Sequence, residues 1–304
     1  MQNGDHCPKG GSALNPILAS MADTAGDGPS FGLALGCGGA RSLAQLHAIE
    51  AFDEMGVRPA AISGTSMGGI LGVSMAAGFK GADLRAHALR TLGGQARILA
   101  RLWRSRPKGM KQTLRGFRVG QLDIEGVLDA FLPAGFPEDF GDLQVPAQVV
   151  ATDYYGDQEI VIGEGSVRKA LAATACMPPV FLPVVRDGRL LIDGGLRNPV
   201  PFDLLEGKAD VIVAVDATGT PARQKGGPKP METMYGASQH MQRAIMQAKM
   251  RPGLPTALLT PAIGGYRSLD FGRTAEILEA TKGLKDEVKR VVDAAFENWR
   301  RPAA

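Results

Sequence analysis

From residue 31 onward the chain alternates between short apolar runs and longer stretches whose apolar positions recur every three to four residues. Phe31–Leu35 is apolar throughout and too short for a buried helix, so it predicts a first strand. A helical pattern follows over Ser42–Met55, with Leu43, Leu46, Ile49, Phe52 and Met55 near the period of a helix. Ala60–Ser63 predicts a second strand, and Met67–Ala77 a helix built mostly from small residues. Asp83–Leu92 and Ile124–Phe131 read as helices, and Leu143–Thr152 and Gln158–Ile162 as strands. Val167–Cys176 reads as a small-residue helix stopped by Met177-Pro178-Pro179. Arg189–Ile192 is a strand running into Asp193-Gly194-Gly195, Asp203–Gly207 a short helix, and Val211–Val215 another buried strand. Beyond Lys225–Pro230, which has linker composition, helical patterns cover Glu232–Met250 and Ala275–Trp299, with a strand over Ala257–Thr260 between them. Strands alternating with helices predict an α/β fold with a mostly parallel central sheet, and no internal repeat interrupts the series.

The first two strands each end in a glycine-rich loop that opens a helix. The first loop is Gly36-Cys37-Gly38-Gly39-Ala40-Arg41. Bare backbone N–H groups beside a helix N-terminus make a cradle for negative charge. A dinucleotide site is the alternative, but it needs a third glycine where Arg41 stands and an acidic end to the next strand. The next strand instead runs into Gly64-Thr65-Ser66-Met67-Gly68, a G-x-S-x-G pattern. Gly64 and Gly68 there permit a strand-to-helix turn too tight for a neighbouring Cβ, with Ser66 at its apex. By itself the pentapeptide reads equally well as a helix cap or as a nucleophile. In a parallel sheet both loops emerge at the same edge, and that shared location favours the catalytic reading.

Composition narrows the partners. The chain has 304 residues and a net charge of +3, too near balance to require nucleic acid. Cys7, Cys37 and Cys176 show no metal or disulfide spacing and suit a reducing, cytoplasmic location; His6, His47, His87 and His240 show no ligand spacing. No metal or cofactor is expected. Residues 1–29 lack the pattern of a secretory signal and are expected to be a flexible leader, and no run reaches the roughly 20 apolar residues that span a bilayer. A basic insert stands at about 93–122, where Arg97, Arg101, Arg104, Arg106, Lys108, Lys111, Arg115 and Arg118 interleave with apolar residues including Trp103. It reads first as a solvated helical insert with one apolar stripe on the core. Its second reading is a face for peripheral contact with anionic membrane through 97–118.

A serine nucleophile needs a base. His240, beyond every plausible acid, lies inside a helical pattern, as do His47 and His87, so none reads as a triad histidine. Asp193 ends a strand and precedes Gly194 and Gly195, which let its carboxylate approach another loop; a bare turn is the plainer reading of Asp-Gly-Gly. An aspartate is a weak base for a serine unless burial raises its pKa and backbone donors carry much of the load.

Taken in order, the glycine loop at 36–41, the 64–68 pentapeptide, Ala151-Thr152-Asp153, and Asp193-Gly194-Gly195 with Asn198-Pro199-Val200-Pro201 resemble the patatin-like phospholipase family. The resemblance runs from about Phe31 to about Gly283. It implies a three-layer α/β/α fold and metal-free hydrolysis of lipid acyl esters. Carried onto this chain, it implies Ser66 as nucleophile and Asp193 as base. Gly38, Gly39 and the adjoining N–H of Ala40 are implied as the oxyanion hole, with Arg41 fixing that loop. The family's loop usually reads G-G-G-x-R-G and often carries a histidine soon afterwards. Here Cys37, Ser42 and Gln45 stand at those places, and Ser42 is free to cap the following helix. The expected organisation is a catalytic core over 30–220 and a linker and helical part over 221–304 packed on it. The expected function is a serine acyl hydrolase acting on (phospho)lipid esters. An acyltransferase sharing the acyl-enzyme, or a lipid-binding protein with a weakened site, are the rivals.

Overall fold

The computed structural model describes residues 28–92, 94, 122–221 and 227–299. The leader up to residue 27 and the basic segment 97–118, with its expected membrane face, lie outside the described residues. The strands are β1 (Phe31–Leu35), β2 (Ala61–Thr65), β3 (Ala147–Asp153), β4 (Gln158–Ile162), β5 (Val184–Arg186), β6 (Arg189–Asp193), β7 (Val211–Val215) and β8 (Ala257–Leu259). The helices are α1 (Leu46–Met55), α2 (Met67–Ala76), α3 (Gly81–Leu92), α4 (Ile124–Phe131), α5 (Val167–Ala175), α6 (Pro230–Lys249), α7 (Thr274–Ala280) and α8 (Gly283–Trp299). They form a mixed sheet in the order β5-β6-β3-β2-β1-β7-β8, with β4 on β3, flanked by helices. From β3 across to β8 the pairing is parallel, as expected; β4, β5 and β6 are antiparallel.

β1 is central and buried on both faces, which is why it reads as an unbroken apolar run. Phe31, Leu33 and Leu35 point to one face and pack with Leu46, Ile49 and Phe52 of α1 and Val288 and Val292 of α8. Ala34, together with Ile212 and Ala214 of β7, faces the other side and meets Phe202, Leu205 and Met246 of α6. At the far end, Val149 and Ala151 of β3 pack on Leu171 of α5 and Leu128 of α4.

Four boundaries differ from the periodic pattern. The first helix starts as a tight helical turn over Gly39–Gln45 before α1 proper, because the glycine loop feeds it at positive φ (Gly39, 60°). Residues 143–146 are not strand: the N–H groups of Gln144 and Val145 donate to Ala76 O, closing the end of α2. The single C-terminal helix expected over Ala275–Trp299 is two, interrupted where Leu284 N donates back to Thr281 O as a turn. β5 was not anticipated, although Asp187-Gly188 between it and β6 is a hairpin signal, both residues lying at positive φ.

Glu50 of α1 is 3% exposed and receives Arg85 Nε from α3 at 2.5 Å and Lys285 Nζ from α8 at 2.5 Å. Burial pushes its pKa up, but the hydrogen bonds and charges of Lys285 and Arg85 outweigh it and hold the carboxyl below its usual range. A Glu50→Gln variant keeps the shape and removes the charge that two cations share. It should lose about 2 kcal/mol of stability, read as a lower Tm at pH 7; an unchanged Tm would show that the three helices are held by apolar packing alone.

Candidate active site

Ser66 stands where β2 meets α2, with φ 57° and ψ −129°. A non-glycine residue there is strained, and such strain is tolerated only where the surroundings over-determine the backbone. The glycines beside it allow the fit. A Cβ on Gly64 would lie 2.5 Å from Gly69 Cα, and one on Gly68 would lie 2.3 Å from Leu35 O. Ser66 N donates to Thr174 Oγ1 at 2.9 Å, and Thr174 Oγ1 in turn donates to Val150 O. Thr65 Oγ1 donates to Asn198 O at 2.7 Å on the adjoining loop. Ser66 is formally the N-cap residue of α2, yet its side chain makes no capping bond, so the helix-cap reading does not hold.

What Ser66 meets is decided by sheet register. β4 pairs with residues 149–153 of β3, overlapping both other partners, so β2 and β6 must share the opposite edge of β3. β2 takes its first half, with Thr65 across from Val150; β6 takes its second half, with Asp193 across from Ala151. The strand ends therefore converge, and Ser66 Oγ donates to Asp193 Oδ2 at 2.6 Å. The other carboxylate oxygen accepts from Gly195 N at 2.8 Å, and Thr152 Oγ1 donates to Asp193 O at 2.9 Å. Gly194 is required by the crossing itself, because a Cβ there would lie 2.1 Å from Val150 O. Asp193 is fully buried, and burial pushes its pKa up to about 6 against the lowering effect of the Ser66 and Gly195 hydrogen bonds. That value suits a group that must take and return a proton near neutral pH.

The glycine loop lies beside this pair. Gly36 N donates to Val215 O and Cys37 N to Pro199 O, so the loop is tied to β7 and to the segment after Asp193. Gly38 sits against Ala217 O, 2.2 Å from where a Cβ would be, and Gly39 sits as close to Ser268 O. Among the described residues no acceptor meets the N–H of Gly38 or Gly39, and both residues line the cavity that holds Ser66. The N–H of Ala40 differs from expectation. It donates to Ser268 O at 2.7 Å, so as a third oxyanion donor it is already engaged.

Arg41 is 1% exposed; its Nε donates to Gly38 O at 3.3 Å and its Nη2 to Ser268 Oγ at 2.9 Å. Burial lowers its pKa to about 10, while the charges of nearby Asp216 and Asp270 oppose the fall, so it remains a cation bracing the loop. Gln45 Nε2 donates to Gly36 O at 2.7 Å, and Ser42 Oγ donates to the same oxygen at 3.3 Å. Ser42 therefore does not cap the following helix; it and Gln45 clamp the loop from behind. Cys37 is buried, and burial, Asp193 and Asp216 all raise its thiol pKa, leaving a neutral, unreactive wall.

Ser66 and Asp193 open on a cavity of about 590 Å³. Much of its wall is apolar and comes from α3 and α4, including Leu84, Ala88, Ile124 and Leu128. His87 lines it too, but its Nε2 is 2.7 Å from Phe131 O; His47 Nε2 is 2.8 Å from Leu278 O, and His240 is exposed. Among the described residues no group of three or more His, Cys, Asp or Glu stands together as a metal site, and no helix is long and apolar enough to cross a membrane. Thr174 and Ser268 escaped the sequence reading, and Gln45 was noted there only as standing in the place of a histidine. Thr174 and Ser268 are ordinary polar residues whose partners are distant in the chain, whereas the Asn198-Pro199 segment carried a visible signal.

Residues 33–206, more than half of the chain, match the model of the patatin-like phospholipase family. An uncharacterized NTE family protein of Mycobacterium tuberculosis is 33% identical over 208 residues, covering 68% of this chain and 54% of that protein. Patatin-like phospholipase domain-containing protein 7 of Mus musculus is 30% identical over 290 residues, covering 83% of this chain and 20% of that protein. The crystal structure of VipD from Legionella pneumophila aligns over 90% of this chain and 68% of that chain, with 15% identity and a TM-score of 0.49. The chain thus spans about half the length of the mycobacterial relatives it matches.

A buried carboxylate whose pKa is raised destabilises the fold once it ionises. The folded protein holds that proton more tightly than the unfolded chain does. Its contribution is therefore fully present below the ordinary value of 3.8 and is lost as pH rises through about 6. Asp193→Asn should raise Tm at pH 8, by the equivalent of up to about 3 kcal/mol, with the gain shrinking toward pH 5. An Asn variant less stable than wild type by the same amount at both pH values would contradict the raised pKa.

Proposed function

The chain belongs to the patatin-like phospholipase family, and from that membership we propose that it is a lipid acyl hydrolase whose chemistry runs through a Ser66–Asp193 dyad. The observation that carries the reading is the 2.6 Å contact from Ser66 Oγ to Asp193 Oδ2, at the wall of a largely apolar cavity. The α3 and α4 part of that cavity suits an acyl chain, and the pair suits the ester at its head. The patatin-like phospholipase 7 relative supports a lipid substrate by name.

The proposed reaction follows from the donors present. Asp193 accepts the Ser66 proton as Oγ attacks the ester carbonyl carbon. The tetrahedral intermediate places its oxyanion against the free N–H groups of Gly38 and Gly39. Each such donor is typically worth about 3 kcal/mol to the transition state, because it is aimed before charge develops. Collapse expels the alcohol, protonated by Asp193, and leaves an acyl-enzyme on Ser66. Asp193 then takes a proton from water as it attacks the acyl carbonyl and returns it to Ser66 Oγ as the bond to the acyl group breaks and the fatty acid departs. No histidine stands between the two groups, so the raised Asp193 pKa supports direct proton exchange. We extend the catalytic core over 30–220, with the helical part beyond it packed alongside.

Ser66→Ala and Asp193→Asn should each lower acyl-ester turnover by at least about a thousandfold while leaving the protein folded. A fluorophosphonate probe should label wild type at Ser66 only. Near-normal turnover by either folded variant would remove that residue from the dyad, and analysis of products with glycerol present would separate hydrolysis from acyl transfer.

The base must be ionised to act, so kcat/KM should rise through a single step near pH 6 and stay level above it. A profile controlled by a group titrating well below that would place the base elsewhere.

A further inference from the structure

The cavity has two kinds of wall. Where α3 and α4 line it, the side chains are apolar. Where α6 lines it, they are Tyr235, Ser238, Gln239 and Gln242, on successive turns of one helix face. α6 lies beyond the 33–206 family match and packs on the turn that follows Asp193. Gln242 is buried, with its Nε2 3.0 Å from where a Cβ on Gly195 would stand. Gln239 Nε2 donates to Thr218 O at 3.2 Å, and Ser238 Oγ to Tyr235 O at 2.8 Å. The Tyr235 hydroxyl is different. It is buried, and among the described residues it has no hydrogen-bond partner.

Buried phenols ordinarily find a partner. Burial, then the charge of Asp193, raise the Tyr235 pKa, so the group is a neutral phenol with a proton to donate. An acyl chain offers it nothing, since beyond its carbonyl oxygen it has no polar atom, and that oxygen is met by Gly38 and Gly39 in the reaction above. The alcohol part of the ester is what remains. Of the arginines that line the cavity, Arg267 is paired with Glu232 and Asp270 and Arg273 with Glu276 and Asp270, while Arg41 is turned to Gly38 O and Ser268 Oγ of the loop it braces. The α6 wall itself is polar and uncharged, which suits a neutral, hydroxyl-bearing alcohol.

We propose that Tyr235 is a specificity residue on the alcohol side of the site, its hydroxyl hydrogen-bonding a hydroxyl of the leaving alcohol, so that esters of polyols such as glycerol are preferred over esters of simple alcohols. This rests on the hydrolase reading of Ser66. Two esters with the same acyl chain isolate it: 1-monooctanoylglycerol and ethyl octanoate differ only in the leaving alcohol, which carries two free hydroxyls in the first and none in the second. In Tyr235→Phe the ratio of kcat/KM values, glyceride over ethyl ester, should fall about five- to tenfold, the scale of one lost hydrogen bond. A merely structural role would lower both rates and keep the ratio; an unchanged ratio overturns the proposal. Binding gives a second readout that needs no turnover. On a Ser66→Ala background, Tyr235→Phe should weaken binding of the glyceride, relative to ethyl octanoate, by a similar factor, and equal weakening of both ligands overturns the proposal. Should wild type fail to react with the fluorophosphonate, the hydrolase reading falls, and the binding ratio still decides for or against the Tyr235 contact.

Discussion

The structure depends on a carboxylate that has no exposed surface. Asp193 is withdrawn from water, and the surroundings replace water with only the Ser66 hydroxyl and the Gly195 N–H at its two oxygens. That is enough to hold it and too little to keep its pKa low, which is the condition for an aspartate to exchange a proton with a serine directly. The sheet supplies the placement. One edge of β3 is divided between a parallel strand carrying Ser66 and an antiparallel strand carrying Asp193, so the contact is made by two strand ends held in register by backbone hydrogen bonds. Side chains on mobile loops would not hold such a distance; strand ends on a buried sheet do.

The glycine loop illustrates how one site absorbs departures from a family pattern. Cys37 and Gln45 stand where a glycine and a histidine are usual. Cys37 accepts its place because its thiol is buried and neutral, and its N–H is used by Pro199 O. Gln45 takes up a structural duty, closing on Gly36 O together with Ser42. Among the described residues the N–H groups of Gly38 and Gly39 meet no acceptor while that of Ala40 is spent on Ser268, so two donors of the loop remain available beside the cavity instead of three.

The part of the chain beyond the family match takes part in this geometry. Ser268 holds both Arg41 and Ala40 from the segment before α7, and α6 lies over the turn after Asp193. Residues 33–206 of this chain would by themselves lack one wall of the cavity. The apolar arm and the polar arm thus come from different stretches of sequence, one between β2 and β3 and the other after β8 and in α6.

Much of this was legible in the chain. Phe31–Leu35, the paired glycine loops and the alternation of strand and helix declared an α/β sheet, because a strand buried on both faces must be apolar at every position. Ser66 and Asp193 were legible as candidates, because a tight turn and a close crossing demand glycines beside them. Other features lie outside any local pattern. That Ser66 and Asp193 touch depends on which strands share an edge, and that Ala40 is occupied depends on where residue 268 arrives. The Asp193 pKa depends on how completely the surroundings exclude water. Periodicity and motif spacing report what each segment needs; register, burial and the identity of distant partners arise only when the segments are packed together.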